Sequence, residues 1–289
     1  MVLTSATAFG TLAIFAKLAY ASGLGTEQTL AFRFVLAAAG MWALAIVLGQ
    51  QPLRLQRGRL ITLGLLGGVV YTGQSLTYFI ALRSLPASLV VLIAYIYPSL
   101  VVVAGWLFLR RGVSAWHGVA LVASFLGVAM LVGGARFQLA WALVFAFASP
   151  VIYTGYILIG ERVMSSVPAV GASAVIMSGA AIAFCILAAF AHQISPPPGA
   201  RGWAVVLGLA FFPTMLAISL FLAGLPRVGA ARAALLSTWE PVVTVMLAVV
   251  LLGDRLTPVQ LAGGVLVLAA VMVVQGAHLW RPGAPSAIK

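Results

Sequence analysis

Residues 82–113 read LRSLPASLVVLIAYIYPSLVVVAGWLFLRRGV, and residues 225–256 read LPRVGAARAALLSTWEPVVTVMLAVVLLGDRL. An offset of 143 residues lays the first on the second without a gap. Leu82 falls on Leu225, Ala87 on Ala230, Leu92 on Leu235, Pro98 on Pro241 and Leu109 on Leu252. Few letters agree. What repeats is an order: small residues, an apolar run, a proline in mid-run, more apolar residues, then a charged turn. The chain therefore carries one pattern twice.

Composition says what kind of chain repeats in this way. Apolar residues make up 63% of it and charged residues 7%, with mean hydropathy +1.17. Soluble domains carry about 25% charged residues, so this is an integral membrane protein. The net charge of +12 invites a nucleic-acid reading, but the basic residues stand singly or in short clusters between apolar runs, as loops of membrane proteins do. The stretch Thr4 to Ala21 lacks a basic leader and continues into a polytopic pattern, so no signal peptide is read there. Cys185 is the one cysteine and excludes a disulfide within the chain. His117, His192 and His278 are too scattered for a metal site.

A span needs about 20 mostly apolar residues. Ten are expected, at 4–22, 28–48, 60–83, 86–109, 114–132, 138–159, 168–190, 203–224, 228–252 and 257–279. With ten spans both termini share a side. On it fall Arg54, Arg57, Arg59, Arg110, Arg111, Arg162, Arg227, Arg281 and Lys289; opposite lie Arg83, Arg136, Arg201 and Arg255. The positive-inside bias puts both termini in the cytoplasm of a cell inner (plasma) membrane. Five spans per copy invert the second copy relative to the first, a common plan of secondary transporters. The expected units are 1–134 and 135–280, with a cytoplasmic tail over 281–289.

The acids are Glu27, Glu161, Glu240 and Asp254. Glu240 falls at the middle of the ninth span, where a charge costs about 2.5–3.5 kcal/mol on insertion scales. It is read as a substrate or proton site, or as a hydrogen bond in helix packing. Pro98, Pro150, Pro213 and Pro241 all fall near mid-membrane, as gating hinges or as ordinary membrane-helix prolines. Pro98 disturbs the carbonyl of Ala94, and Pro241 that of Ser237. Tyr71, Gln74, Ser75, Tyr78 and Leu82 share one helical face. Tyr95, Tyr97, Tyr153, Tyr156, Ser237 and Trp239 add polar and aromatic groups at similar depth. Interfacial belts normally collect tyrosine near the headgroups, so this set reads as a shared cavity lining. Its candidate substrate-binding residues are Gln74, Tyr78, Tyr95, Tyr97, Tyr153, Ser237, Trp239 and Glu240. Lys17, Arg33 and Arg232 read as snorkelling side chains; for Lys17 and Arg33 the alternative is recognition of an anion or carboxylate. Gly67-Gly68 and Gly263-Gly264 read as helix-packing positions.

These residues carry a resemblance. Leu225, the small run Gly229 to Ala234, Glu240-Pro241, Gly253-Asp254-Arg255-Leu256, Gln260 and Gly263 resemble the second half of EamA-type members of the drug/metabolite transporter superfamily. Lys17, Arg33-Phe34, Pro86-Ala87-Ser88, Pro98 and Gly118 resemble the first half. Arg111 departs from that pattern, which has a glutamate there. The resemblance implies an all-α protein of ten transmembrane helices in two inverted five-helix repeats. Spans one, three, four, six, eight and nine would line a central cavity. It also implies a secondary transporter without cofactors that moves a small-molecule substrate across the lipid bilayer. The aromatic lining is closest in character to the superfamily's aromatic-amino-acid exporters. Nucleotide-sugar or phosphorylated-metabolite transport is the alternative. An intramembrane enzyme needs a nucleophile and base, or paired acids, and a channel needs a filter loop or charged ring; neither is legible. The sequence leaves the oligomeric state open.

Overall fold

The structure, a computed structural model, describes residues 1–51, 55–110, 115–132, 140–164 and 167–276. Arg54, Arg111, Arg136, His278, Arg281, Lys289 and the tail expected over 281–289 lie outside these residues. All regular structure among the described residues is helical. Lipid offers no partner to N–H and C=O groups, so spans must satisfy them internally.

Nine of these helices are long and apolar enough to cross a membrane. They are α1 (Val2–Ala21), α2 (Thr26–Val47), α3 (Arg57–Ser84), α4 (Ala87–Phe108), α6 (Trp141–Val163), α7 (Ala169–Phe190), α8 (Gly199–Val228), α9 (Arg232–Leu252) and α10 (Pro258–Gly276). A shorter apolar helix, α5 (Trp116–Val132), makes the tenth. Most ends fall within a few residues of expectation. The third and eighth spans run longer than hydropathy suggests. At 1.5 Å per residue, the 30 residues of α8 reach about 45 Å, enough to cross the headgroups as well as the hydrocarbon. We call the end of the bundle bearing Met1 proximal and the other end distal.

The helix neighbours show the repeat. The most extensive pairings are α2 with α7 and α5 with α10. The pair α3–α6 is matched by α8–α1, α4–α6 by α9–α1, and α3–α7 by α8–α2, while α4 packs on α9. Adding five to each helix number, cyclically, turns each of these pairs into another of them or into itself. Two inverted five-helix halves are therefore interlocked, each helix seated against the partner half.

Backbone irregularities recur at the same offset. Between Ala87–Ala94 and Tyr97–Leu109, α4 breaks; between Ala230–Ser237 and Trp239–Leu252, α9 breaks. A π-helical turn interrupts α3 at Leu66–Tyr71 and α8 at Phe211–Leu216. Thr72 Oγ1 reaches back to Gly67 O at 2.9 Å, and Thr214 Oγ1 to Leu209 O at 3.0 Å, so each threonine takes up a carbonyl five residues earlier. After α2 and α7 come left-handed residues 143 apart, Gly49 (φ 66°) and His192 (φ 54°). Each is followed by a glutamine N–H that bonds back into the last turn, Gln50 to Ala45 O and Gln193 to Ala188 O, which is the Schellman closure.

Small residues set the tightest approaches. A Cβ on Gly67 of α3 would stand 1.8 Å from Ile176 O of α7, and one on Gly179 of α7 would stand 2.2 Å from Gly64 O. Gly127 of α5 and Gly263 of α10 face each other's carbonyls in the same way. In lipid such close backbone packing drives association. Much of the outer surface is large apolar side chains, with Phe108, Trp116, Phe190 and Val250 among the most exposed, as a lipid-facing surface requires.

Candidate functional site

The two broken helices cross at mid-bundle, and the polar chemistry gathers there. Pro241 has no N–H, so the carbonyl of Ser237 loses its helical donor. The hydroxyl of Tyr95, in the break of α4, supplies one: it donates to Ser237 O at 2.7 Å. The same hydroxyl lies 3.1 Å from Glu240 Oε2. A tyrosine hydroxyl has one proton. When that proton goes to Ser237, the carboxyl must supply the proton of the second contact. The break in one repeat is thus satisfied by the break in the other, with Glu240 at the junction.

From Tyr95 a run of aromatic rings leads away through the protein. Tyr97 lies 5.8 Å from Tyr95 and 4.9 Å from Tyr153, both edge to face. Tyr153 stacks on Tyr156 at 5.7 Å, Tyr156 lies 5.1 Å from Tyr71, and Tyr71 lies 5.5 Å from Phe34. These separations fall in the range where aromatic pairs gain beyond their buried area. Tyr78 of α3 is buried and, like Tyr95, Tyr97 and Tyr153, lies within electrostatic reach of Glu240. Gln74 Nε2 donates to Ser149 Oγ at 3.2 Å, tying α3 to α6. The structure therefore brings Gln74, Tyr78, Tyr95, Tyr97, Tyr153, Ser237 and Glu240 to the walls of one region.

Trp239 does not join them. It is 43% exposed, and its Nε1 donates to Thr7 Oγ1 of α1 at 3.2 Å. Successive helical residues point about 100° apart, so Glu240 facing Tyr95 turns its neighbour away. Pro98, Pro150, Pro213 and Pro241 are all buried. Pro98 sits just past the break of α4 and Pro241 just past that of α9, Pro213 lies within the π turn of α8, and Pro150 lies inside a continuous α6.

Arg33 corrects the snorkelling expectation. It is 3% exposed, with its guanidinium 4.7 Å from the Phe34 ring and 5.6 Å from the Phe79 ring. Its Nε donates to Thr214 Oγ1 at 3.0 Å. Thr214 in turn donates to Leu209 O, the carbonyl four residues before Pro213 and the one that proline deprives. Phe79 and Thr214 are members of this site that the sequence did not single out. The signal was present in Arg33 itself, a cation inside an apolar run. Arg232 is exposed and Lys17 is partly buried within reach of Asp254. Among the described residues no group of three His, Cys, Asp or Glu could hold a metal.

The model of the EamA-like transporter family matches residues 1–133 and again 140–275. The chain belongs to that family. An uncharacterized transporter, YcbK of Bacillus subtilis (strain 168), is 25% identical over 273 residues, covering 90% of this chain and 87% of that one. A solved crystal structure superposes with a TM-score of 0.66 at 21% identity, covering 96% of both chains; at that identity the likeness concerns the fold alone. This EamA-like protein is thus a multi-pass membrane transporter of a small molecule.

Proposed function

We propose that this transporter exports amino acids, aromatic ones among them, by alternating access through the region between α3, α4, α6 and α9. The observation that carries the reading is the Tyr95–Ser237–Glu240 junction. An acid and a freed backbone carbonyl sit where two inverted, broken helices cross, beside a run of tyrosines. Such rings offer an apolar face with a polar tip, which suits a substrate with an apolar side chain and a polar end. Residues 1–134 and 135–280 act as the two halves, with both termini in the cytoplasm and the proximal end facing inward. Pro98 and Pro241 let the gating helices bend, and Pro150 and Pro213 assist.

Nucleotide sugars and phosphorylated metabolites are the rival cargo. Their phosphates call for several cations, and Arg33 is one. Counterflow in liposomes with labelled amino acids, nucleotide sugars and quaternary amines tests the reading. Exchange of phenylalanine or leucine is the expected result. Exchange confined to the other two classes removes it. Coupling is read from Glu240→Gln: loss of gradient-driven efflux with exchange retained assigns the proton step to Glu240, and undiminished uphill efflux excludes it.

A further inference from the structure

We propose that Arg33 is an anion-binding residue that holds the carboxylate of the transported molecule, with Thr214, Tyr71 and Tyr78 shaping the site around its guanidinium. The assignment rests on the preceding reading in one respect, that the region around Glu240 is the transport path.

The chain has four acids, and none pairs with Arg33. Glu240 is engaged at Tyr95. Asp254 accepts from Ser88 at the distal end of the bundle. Glu27 lies at the first turn of α2, and Glu161 lies near the end of α6. A guanidinium has five N–H donors. Around Arg33 stand the Thr214 hydroxyl at 3.0 Å, two aromatic rings, the Tyr71 hydroxyl as a second hydrogen-bond partner, and the Tyr78 hydroxyl within electrostatic reach. Neutral hydroxyls and rings offset only part of the cost of burying a full charge. A bound carboxylate would supply the opposite charge that these neutral partners lack. Helix packing alone does not need this cation: the residue 143 further on, in the equivalent place on α7, is Ile176.

Position and shape then select the anion. Tyr78 is within reach of both Arg33 and Glu240, which sets the guanidinium beside the Tyr95 junction. The planar fork of arginine matches a carboxylate bidentately. One cation beside aromatic rings fits a monocarboxylate with an apolar body better than a phosphate of higher charge.

The test is thermal protection of the purified full chain, followed by intrinsic tryptophan fluorescence. Two acid–amide pairs are the probes, phenylalanine against phenylalaninamide and benzoate against benzamide, with phenyl phosphate alongside. In the unaltered protein each acid protects at a concentration about tenfold or more below its amide, the range of a charge-assisted hydrogen bond. Arg33→Gln brings that ratio close to one while protection by the amides is unchanged. Arg33→Lys, which keeps the charge but loses the fork, gives an intermediate ratio and serves if the glutamine variant does not fold. A merely structural Arg33 weakens acid and amide alike and leaves the ratio intact, which overturns the proposal, as does phenyl phosphate protecting better than benzoate. Should benzoate show the Arg33-dependent preference while phenylalanine neither protects nor exchanges, the carboxylate site stands and the amino-acid reading falls. Should phenylalanine exchange with no acid–amide difference, the reading stands and the site falls.

Discussion

At the distal end of the α4–α9 crossing, the backbone N–H and the hydroxyl of Ser88 both donate to Asp254 Oδ2, at 3.0 and 2.8 Å. Lys17 of α1 stands within electrostatic reach of the same carboxylate, and Ala87–Ala94 packs along Trp239–Leu252. At the proximal end the other halves of these helices, Tyr97–Leu109 and Ala230–Ser237, do not pack along each other among the described residues. The sequence explains part of the difference. Moved by 143 residues, Ser88 falls on Ala231, and Asp254 corresponds to Arg111. An alanine has no hydroxyl, and an arginine cannot cap a helix N-terminus as a carboxylate does. If the two halves exchange roles as proposed, a fastening present at one end biases the scaffold toward the arrangement closed there.

Trapping that end should have the largest effect. With Cys185→Ser as background, Ser88→Cys and Asp254→Cys joined by a short bis-methanethiosulfonate linker, which forms a disulfide at each end, should cut counterflow at least about tenfold, and a reductant should restore it. In the proposed alternating access that size follows from an end that opens in each turnover. Full transport in the cross-linked protein would show that the distal end need not open. Releasing the fastening is the next largest change. Two hydrogen bonds to a carboxylate contribute about 2 kcal/mol when partly exposed, roughly a 30-fold change in a two-state ratio. Asp254→Ala should therefore broaden and lengthen the distance distribution between spin labels at Arg83 and Arg255, both exposed on the distal side. An unchanged distribution would remove the fastening from the account of the bias.

The junction at mid-bundle allows a finer comparison. Tyr95→Phe leaves Ser237 O without its donor and should cost about 1–3 kcal/mol, a fall of several degrees in Tm for a chain of this size. Tyr97→Phe, one repeat away from Glu240, should cost less than about 0.5 kcal/mol. Equal losses would mean that the hydroxyl bond to Ser237 contributes nothing special.

Much of this architecture is legible in the amino-acid order, because lipid enforces it. The apolar runs, Pro98 against Pro241 and the 143-residue offset together give ten spans in two inverted halves, and the tyrosines at membrane depth mark their region. What was not legible follows from rotation about helix axes and from contacts between halves. Trp239 and Glu240 are neighbours in sequence, and only helix packing decides which faces Tyr95. Arg33 reads as a snorkelling residue because a single span does not show that Phe79 and Thr214 close over it. The π turns are likewise hidden, since Thr72 and Thr214 look like any other threonines in an apolar run.

One expected effect has the opposite sign. Ser99 lies in the proximal half of α4, and Val242 occupies the equivalent place in α9. Ser99 is fully buried, and its hydroxyl has no partner among the described residues. Burying an unpaired hydroxyl costs about 1–3 kcal/mol by mutational measures, so Ser99→Ala should raise Tm by up to a few degrees. In the proposed alternating access, the proximal half of α4 closes against α9 when the bundle opens distally. If Ser99 finds an acceptor only in that second arrangement, the stabilised variant should also exchange substrate more slowly, because the alanine relieves the first state and cannot reward the second. A variant that gains stability with no change in counterflow would place Ser99 outside the moving contact. One that loses stability would mean the hydroxyl is already bonded in the arrangement of this structure.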